Sequence, residues 1–492
     1  MGTSVTNKDK KSGTWKQKEL FFLVTYVLVF YAIIIRRSLQ ISHDHYKKLF
    51  GLRPGWLPNH LNDVSDAQWR NFRGNLPVLT FVFGIFTLLA NLMRAFFNLN
   101  VRGMSVVWLL FSFAYLSYLH GACVIFVLSI ATINFLLVKI FARKKYFPLI
   151  IWSYNIFFLL CNRIYEGYPF SVFGQQWRFL DNYRGSFRWH ICFNFVVLRM
   201  ISFGLDYHWT NQDSHFDQEK HCQRCHICKS GNTCYQALQE RSLPINKFGY
   251  VVYLSYLVYA PLYIAGPIVS FNAFASQLDV PQNSNSVRNV ILYGFRWLFC
   301  FILLEFMTHL FYYNAFANSG LWKHLSPMEV FIIGYGVLNF MWLKFLLIWR
   351  FFRYMYIPLG GSRKKLLNVW VIFTFVAIWH DLEWKLLSWA WLTCLFFIPE
   401  LVLKSATKAF QAESSFGEFI FRELSAVAGA VTITCLMVAN LVGFVVGPSS
   451  INWLLSSFLC KEGLPVLGGL LMTFYVGTKI MFHIEEAKKR SP

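Results

Sequence analysis

Apolar residues in this chain come in long unbroken runs set apart by short polar connectors, not in the alternation of a half-buried surface. The runs are Leu20–Ile35, Pro77–Met93, Met104–Leu119, Ala122–Phe141, Phe147–Leu160, Ile191–Leu205, Phe248–Phe271, Val290–Tyr313, Val330–Phe352, Leu366–Ile378, Leu386–Leu403, Leu424–Val446 and Leu464–Ile480. Several approach the ~20 residues that cross a bilayer as a helix. Shorter ones such as Leu366–Ile378 are expected to be re-entrant or packed among other helices. The pattern predicts an all-α polytopic helical membrane protein with roughly ten to twelve spanning helices plus re-entrant segments.

The connectors complete the expected layout. Residues 1–19 form a polar, Lys-rich, cytosolic N-terminus; 20–482 form a single membrane body; 483–492 form a basic tail. Leu20–Ile35 is followed by Arg36-Arg37 with no small-residue cleavage site, which reads as an uncleaved signal anchor. Ser38–Arg73 is expected to hold amphipathic surface helices with Trp56 and Trp69 at headgroup level. The longest polar stretch is 209–242, and no fixed-period repeat is present.

Composition agrees. Of 492 residues, 56% are hydrophobic and only 14% charged, against about 25% charged in an ordinary globular chain. This excludes a disordered protein, a disulfide-framework secreted domain and an ordinary cytosolic enzyme. The net charge of +22 would suggest nucleic acid in a soluble protein. Here the cations cluster between apolar runs, at Arg143-Lys144-Lys145, Arg363-Lys364-Lys365 and Lys488-Lys489-Arg490, as positive loops beside anionic headgroups do. The charge therefore reads as topology, and no nucleic-acid partner is expected.

An ionisable side chain in hydrocarbon costs several kcal/mol, so each one inside an apolar run is a functional candidate. His120 reads best as a hydrogen-bonding member of a helix interface. Glu305 and His309, four apart on one helix face, are equally a buried structural pair or a functional one. Lys344 can snorkel to the interface. The densest group is Trp379-His380-Asp381-Leu382-Glu383-Trp384-Lys385, where a helix between two apolar runs can break around a cavity.

Two further elements carry chemistry. In Tyr356-Ile357-Pro358-Leu359-Gly360-Gly361-Ser362-Arg363-Lys364-Lys365, proline ends any helix and the glycines allow close backbone approach. Exposed amides beside three cations suit the phosphates of a cofactor, although on periodicity alone a basic topology turn is the simpler reading. The group His221-Cys222-x2-Cys225-His226-x-Cys228-x5-Cys234, with His215 nearby, offers Cys222, Cys225, Cys228 and Cys234 as soft ligands for zinc. Free thiols and S-acylated juxtamembrane cysteines are the stronger readings of that spacing.

These residues resemble the membrane-bound O-acyltransferase superfamily, in the branch of glycerol-uptake-type proteins and hedgehog acyltransferase. The resemblance runs in order through Asp66-Ala67-Gln68-Trp69-Arg70-Asn71-Phe72-Arg73-Gly74-Asn75-Leu76-Pro77, Tyr259–Ile268, Glu305-x3-His309-x3-Tyr313-Asn314-Ala315, Tyr356–Ser362 and Trp379-His380. It implies an enzyme of the endoplasmic reticulum membrane that uses acyl-CoA and acts on a lipid or lipid-linked hydroxyl, such as a lysolipid or a glycosylphosphatidylinositol anchor. His380 would be the catalytic base, with Trp379, Asp381, Glu383, Glu305 and His309 in support. Tyr356, Gly360, Gly361, Ser362, Arg363 and Lys364 would face coenzyme A.

The chain departs from the family in one place. Family members place a polar re-entrant stretch with a second active-site position before the Tyr-Ile-Pro-Leu-Gly-Gly-Ser element. Here Trp349-Arg350-Phe351-Phe352 passes directly into Arg353-Tyr354-Met355. An internal deletion would leave His380 without its usual partner, so a catalytically impaired relative is one alternative. A transporter or transport modulator of the glycerol-uptake type, relaying protons through intramembrane His, Glu and Lys, is another.

Overall fold

A computed structural model describes residues 3–97, 101–212, 218–229, 234–265, 268–279, 287–354, 374–376, 379, 383–409 and 415–490. Its helices, in chain order, are α1 Thr3–His45, α2 Ala67–Phe97, α3 Val101–His120, α4 Val124–Phe141, α5 Phe147–Tyr165, α6 Trp189–Asn211, α7 Gln218–Arg224, α8 His226–Lys229, α9 Tyr235–Glu240 and α10 Tyr250–Leu257. They continue with α11 Ala260–Tyr263, α12 Phe271–Asp279, α13 Val287–Leu310, α14 Tyr313–Ser319, α15 Pro327–Tyr354, α16 Trp384–Ala409, α17 Ser415–Leu441, α18 Ile451–Leu459 and α19 Gly463–Arg490. Between α1 and α2 lies a hairpin of β1 Leu52–Pro54 and β2 Leu61–Asp63. The all-α polytopic architecture expected from the apolar runs is the one observed.

Among the described residues, eight helical stretches are long and apolar enough to cross a membrane. One of them, Gly103–Phe141, is interrupted at Gly121, whose φ of 56° turns the chain between α3 and α4. The helix α6 has the length, at 23 residues, but carries Arg199 and Asp206 in its interior. Helix α2 begins at Ala67, ten positions ahead of the apolar run, and carries Pro77 inside it.

The chain divides into two compact units, one of residues 1–70, 302–344 and 365–492, the other of 71–301 and 345–364. In the second unit the middle of α6 is buried, with Phe193, Val196, Val197, Met200 and Phe203 fully enclosed. One face of α6 places Arg199, Ser202 and Asp206 three and four residues apart. That face meets the end of α10, the short α11 and the start of α12. A helix end leaves carbonyls without partners, and in an apolar body no water replaces them. The Arg199 guanidinium donates to the carbonyls of Leu257 at 2.6 Å, Tyr256 at 3.3 Å and Leu262. At the start of α12, the Ser202 hydroxyl accepts from the Phe271 amide at 3.1 Å and the Asp206 carboxylate from the Asn272 amide at 3.0 Å.

In the first unit, ion pairs link helix ends: Lys479 contacts both Glu423 and Glu19, and Arg422 reaches Glu486 at 3.3 Å. The region 38–73 differs from the expected amphipathic surface helices. Helix α1 continues to His45, and the chain then forms the antiparallel hairpin, with Leu52 opposite Asp63 and Pro54 opposite Leu61. Asn59 makes the loop's left-handed residue at φ 61°, which its short polar side chain tolerates. Trp69 is buried rather than at headgroup level. Both departures follow from what the hairpin carries, two carboxylates that cap helices in the interior.

Helix α15 approaches Tyr313 closely. A Cβ at Gly336 would lie 2.3 Å from the Tyr313 ring, while one at Gly469 in α19 would meet nothing within 4 Å. Gly336→Ala gains about 1 kcal/mol of helix propensity but incurs an overpacking cost of about 1–3 kcal/mol. Thermal unfolding of the detergent-purified protein should therefore show Gly336→Ala less stable than wild type and Gly469→Ala no less stable.

Candidate functional site

Glu305 and His309 lie on the last turns of α13 and are both buried. They do not share a proton side chain to side chain. The His309 Nδ1 faces the main-chain carbonyl of Glu305 at 2.7 Å. A carbonyl only accepts, so Nδ1 carries the hydrogen. The Glu305 carboxylate accepts from the Trp56 indole N–H at 3.1 Å. The Trp56 ring lies 5.1 Å from the His309 ring, centre to centre. Gly55 covers the other edge: a Cβ there would sit 2.4 Å from His309 Nε2. The hairpin loop is thus seated directly on the acid–histidine turn, and only a glycine at position 55 lets it come so near.

The same hairpin supplies two caps. Just beyond α13 the chain turns through Tyr312, whose φ of 50° is left-handed. Helix α14 starts again with its amides exposed to the interior, and Asp63 accepts from the Ala315 amide at 2.9 Å. Ser65 donates to the same carboxylate through its amide at 3.1 Å and its hydroxyl at 2.5 Å. Burial pushes the Asp63 carboxyl above the usual carboxylate range, while these donors pull it back. Asp66 accepts from the Trp69 amide at 2.6 Å and so caps α2. It also pairs with the Lys344 ammonium of α15 at 2.8 Å. Lys344 is buried and bound in the interior, not snorkelling as its position beside Trp342 suggests. Tyr313 and Ser38 share a hydroxyl hydrogen bond at 2.8 Å.

Of the His380 group, Trp379 and Glu383 are described. Trp379 is half-buried; Glu383 is exposed, its carbonyl accepting from Leu386 and Leu387 amides at the start of α16. His380, Asp381, Tyr356, Gly360, Gly361, Ser362, Arg363 and Lys364 lie outside the described residues, as does His215.

The cysteine loop is described at its candidate ligands. His221, Cys225, Cys228 and Cys234 place one ligand atom each within 4.8 Å of one another. Cys222 is not in that set and His221 takes its place. The reason is helical geometry: residues 221 and 225 are four apart and share a face, whereas 222 points about 100° away. Burial pushes the Cys234 thiol up to about 11, the Ala237 amide opposing this and the Cys228 and Cys225 thiols adding to it.

Comparison with known proteins bears on these residues. The model of the membrane-bound O-acyltransferase family matches residues 185–353 and 349–439. The membrane-bound O-acyltransferase gup1 of Schizosaccharomyces pombe is 31% identical over 90% of this chain and 84% of its own length. The chain belongs to the membrane-bound O-acyltransferase family. The membrane-bound O-acyltransferase GUP1 of Saccharomyces cerevisiae is 29% identical over 98% of this chain and 93% of its own. The mouse protein-cysteine N-palmitoyltransferase HHAT is 27% identical over 29% of this chain.

Family membership makes the chain a membrane acyltransferase by class, and it gives the junction at Phe352 a meaning. The family match comes in two segments that meet at 349–353. The alignment with the S. cerevisiae relative runs to 539 positions while covering 98% of these 492 residues, so the relative carries residues that this chain lacks. The break falls where the polar stretch before Tyr356 was expected and not found.

Arg199 and Lys479 each lie inside a segment read as apolar, the same signal that picked out Glu305 and Lys344, and Asp206 lies one residue beyond the run Ile191–Leu205; none of the three was singled out from the sequence. Removing one partner of a buried ion pair strands the other. Lys344→Met should destabilise the protein by about 3 kcal/mol, the low end for a buried pair, because the Asp66 side chain keeps 21% of its exposure. Lys344→Met combined with Asp66→Asn, which keeps the α2 cap and removes the charge, should recover most of that loss in a denaturant or thermal double-mutant cycle.

Proposed function

We propose that this chain transfers an acyl group from acyl-CoA to a hydroxyl of a lipid or lipid-linked acceptor in the endoplasmic reticulum membrane, with His380 as general base. The observation that carries the reading is Trp379-His380 lying inside the matched family stretch 349–439. The imidazole takes the proton of the acceptor hydroxyl, and the oxygen attacks the thioester carbonyl. The C–S bond breaks, and coenzyme A leaves as a thiol with the proton from the imidazolium. Histidine titrates in the range this shuttle needs. An apolar surrounding excludes the water that would otherwise hydrolyse the thioester. The basic turn Tyr356–Lys365 suits the phosphates of coenzyme A, and Asp381 or Glu383 would orient the ring. Glu305 and His309 serve as support, holding the hairpin in place. A lysophospholipid or the lipid part of a glycosylphosphatidylinositol anchor is the acceptor class that the glycerol-uptake-type branch favours.

A second reading is favoured by the segmented family match at 349–353: a chain that binds acyl-CoA yet transfers little, because the stretch bearing the second active-site position is missing. The two separate in one assay. Purified protein given labelled acyl-CoA and lysophosphatidylinositol should form acylated product, and His380→Ala should lower the rate about 10²–10⁴-fold with acyl-CoA binding retained. Equal rates in wild type and His380→Ala would remove His380 from the chemistry. Binding without transfer in the wild type, with activity gained on inserting the relatives' stretch after Phe352, would establish the second reading.

A further inference from the structure

We propose that His221, Cys225, Cys228 and Cys234 hold a structural zinc ion that pins the polar loop between α6 and α10. The four ligand atoms come from three separate pieces of chain: His221 in α7, Cys225 and Cys228 at and within α8, and Cys234 just before α9. They converge to within 4.8 Å of one another, with His221 Nε2 3.1 Å from Cys234 Sγ. A tetrahedral zinc site with Zn–S near 2.3 Å and Zn–N near 2.0–2.1 Å has ligand-to-ligand edges of about 3.4–3.8 Å. The observed cluster, with no ligand pair more than 4.8 Å apart, needs to contract by no more than about 1 Å to reach that size.

The donor chemistry selects the ion. Three thiols and an imidazole are soft and borderline ligands, which suit zinc over magnesium or calcium. Three sulfurs are an odd number, so a disulfide would leave one over. Four protein ligands close the coordination shell, the arrangement of structural sites; a catalytic zinc keeps a position open. The Ala237 amide donates to Cys234 Sγ at 3.4 Å, a main-chain contact of the kind that orients a thiolate ligand.

The loop also has a need for such a pin. Helices α7, α8 and α9 have seven, four and six residues. Isolated helices shorter than about 12–15 residues are marginal in water. Among the described side chains of α7, α8 and α9, Ala237 and Leu238 are the buried apolar ones. Metal coordination across His221 to Cys234 would supply the missing cross-link, since binding free energy at such a site is folding free energy.

The test is metal content of the full-length protein in detergent by mass spectrometry. About one zinc per chain is expected in the wild type and in Cys222→Ser, and at least a fivefold loss in Cys225→Ser and Cys228→Ser. The wild type gives a second readout that does not depend on whether these variants fold. Maleimide should label Cys222 with or without a chelator, but Cys225, Cys228 and Cys234 only after chelation. Wild-type protein without stoichiometric zinc would overturn the proposal. So would Cys222→Ser losing as much zinc as Cys225→Ser, hydroxylamine-sensitive acylation of the four-residue cluster, or chelator-independent labelling.

Discussion

The structure depends on satisfying the ends of broken helices in an apolar body. A spanning helix meets its own backbone hydrogen bonds; a helix that stops inside the body leaves amides or carbonyls with no water to receive them. This chain stops helices internally at α10, α11, α13 and α14, and at each break a side chain from elsewhere in the sequence closes the account. Arg199 gathers the carbonyls of Tyr256, Leu257 and Leu262. Asp206 takes the first amides of α12, and Asp63 those of α14. Arg199, Asp206 and Asp63 are thus buried ionisable residues placed where the backbone is interrupted.

That arrangement gives the run from Asp66 a structural role. The run from Asp66 looks like a polar connector ahead of a spanning helix. In the fold, its aspartate caps α2 and holds Lys344, and its neighbour Asp63 caps α14. The hairpin that ends at Asp63 seats Gly55 and Trp56 on Glu305 and His309. Residues more than two hundred positions apart in sequence thus form one polar cluster within the unit that contains them.

The helix positions were legible in the sequence because a run of apolar residues needs no partner to announce it. What remained hidden was pairing at a distance. Lys344 read as snorkelling because its partner, Asp66, is 278 residues away. Arg199 was lost inside a run named for its valines and phenylalanines. Trp69 was placed at the headgroups because aromatic residues beside polar ones usually sit there, yet its burial is set by the capped start of α2. In the cysteine loop the spacing suggested Cys222, and only helical phase shows that His221 faces the cluster instead.

Arg199 and Lys344 are bound into the fold, whereas the proposed function puts the chemistry on His380. Measuring acyl transfer per folded molecule, with folded protein counted by size-exclusion chromatography, tests that separation in Arg199→Met, Lys344→Met and His380→Ala. The scaffold variants should yield less folded protein whose turnover stays near wild type, while His380→Ala should fold normally and lose turnover. Loss of turnover per folded molecule in Arg199→Met or Lys344→Met as deep as in His380→Ala would contradict it.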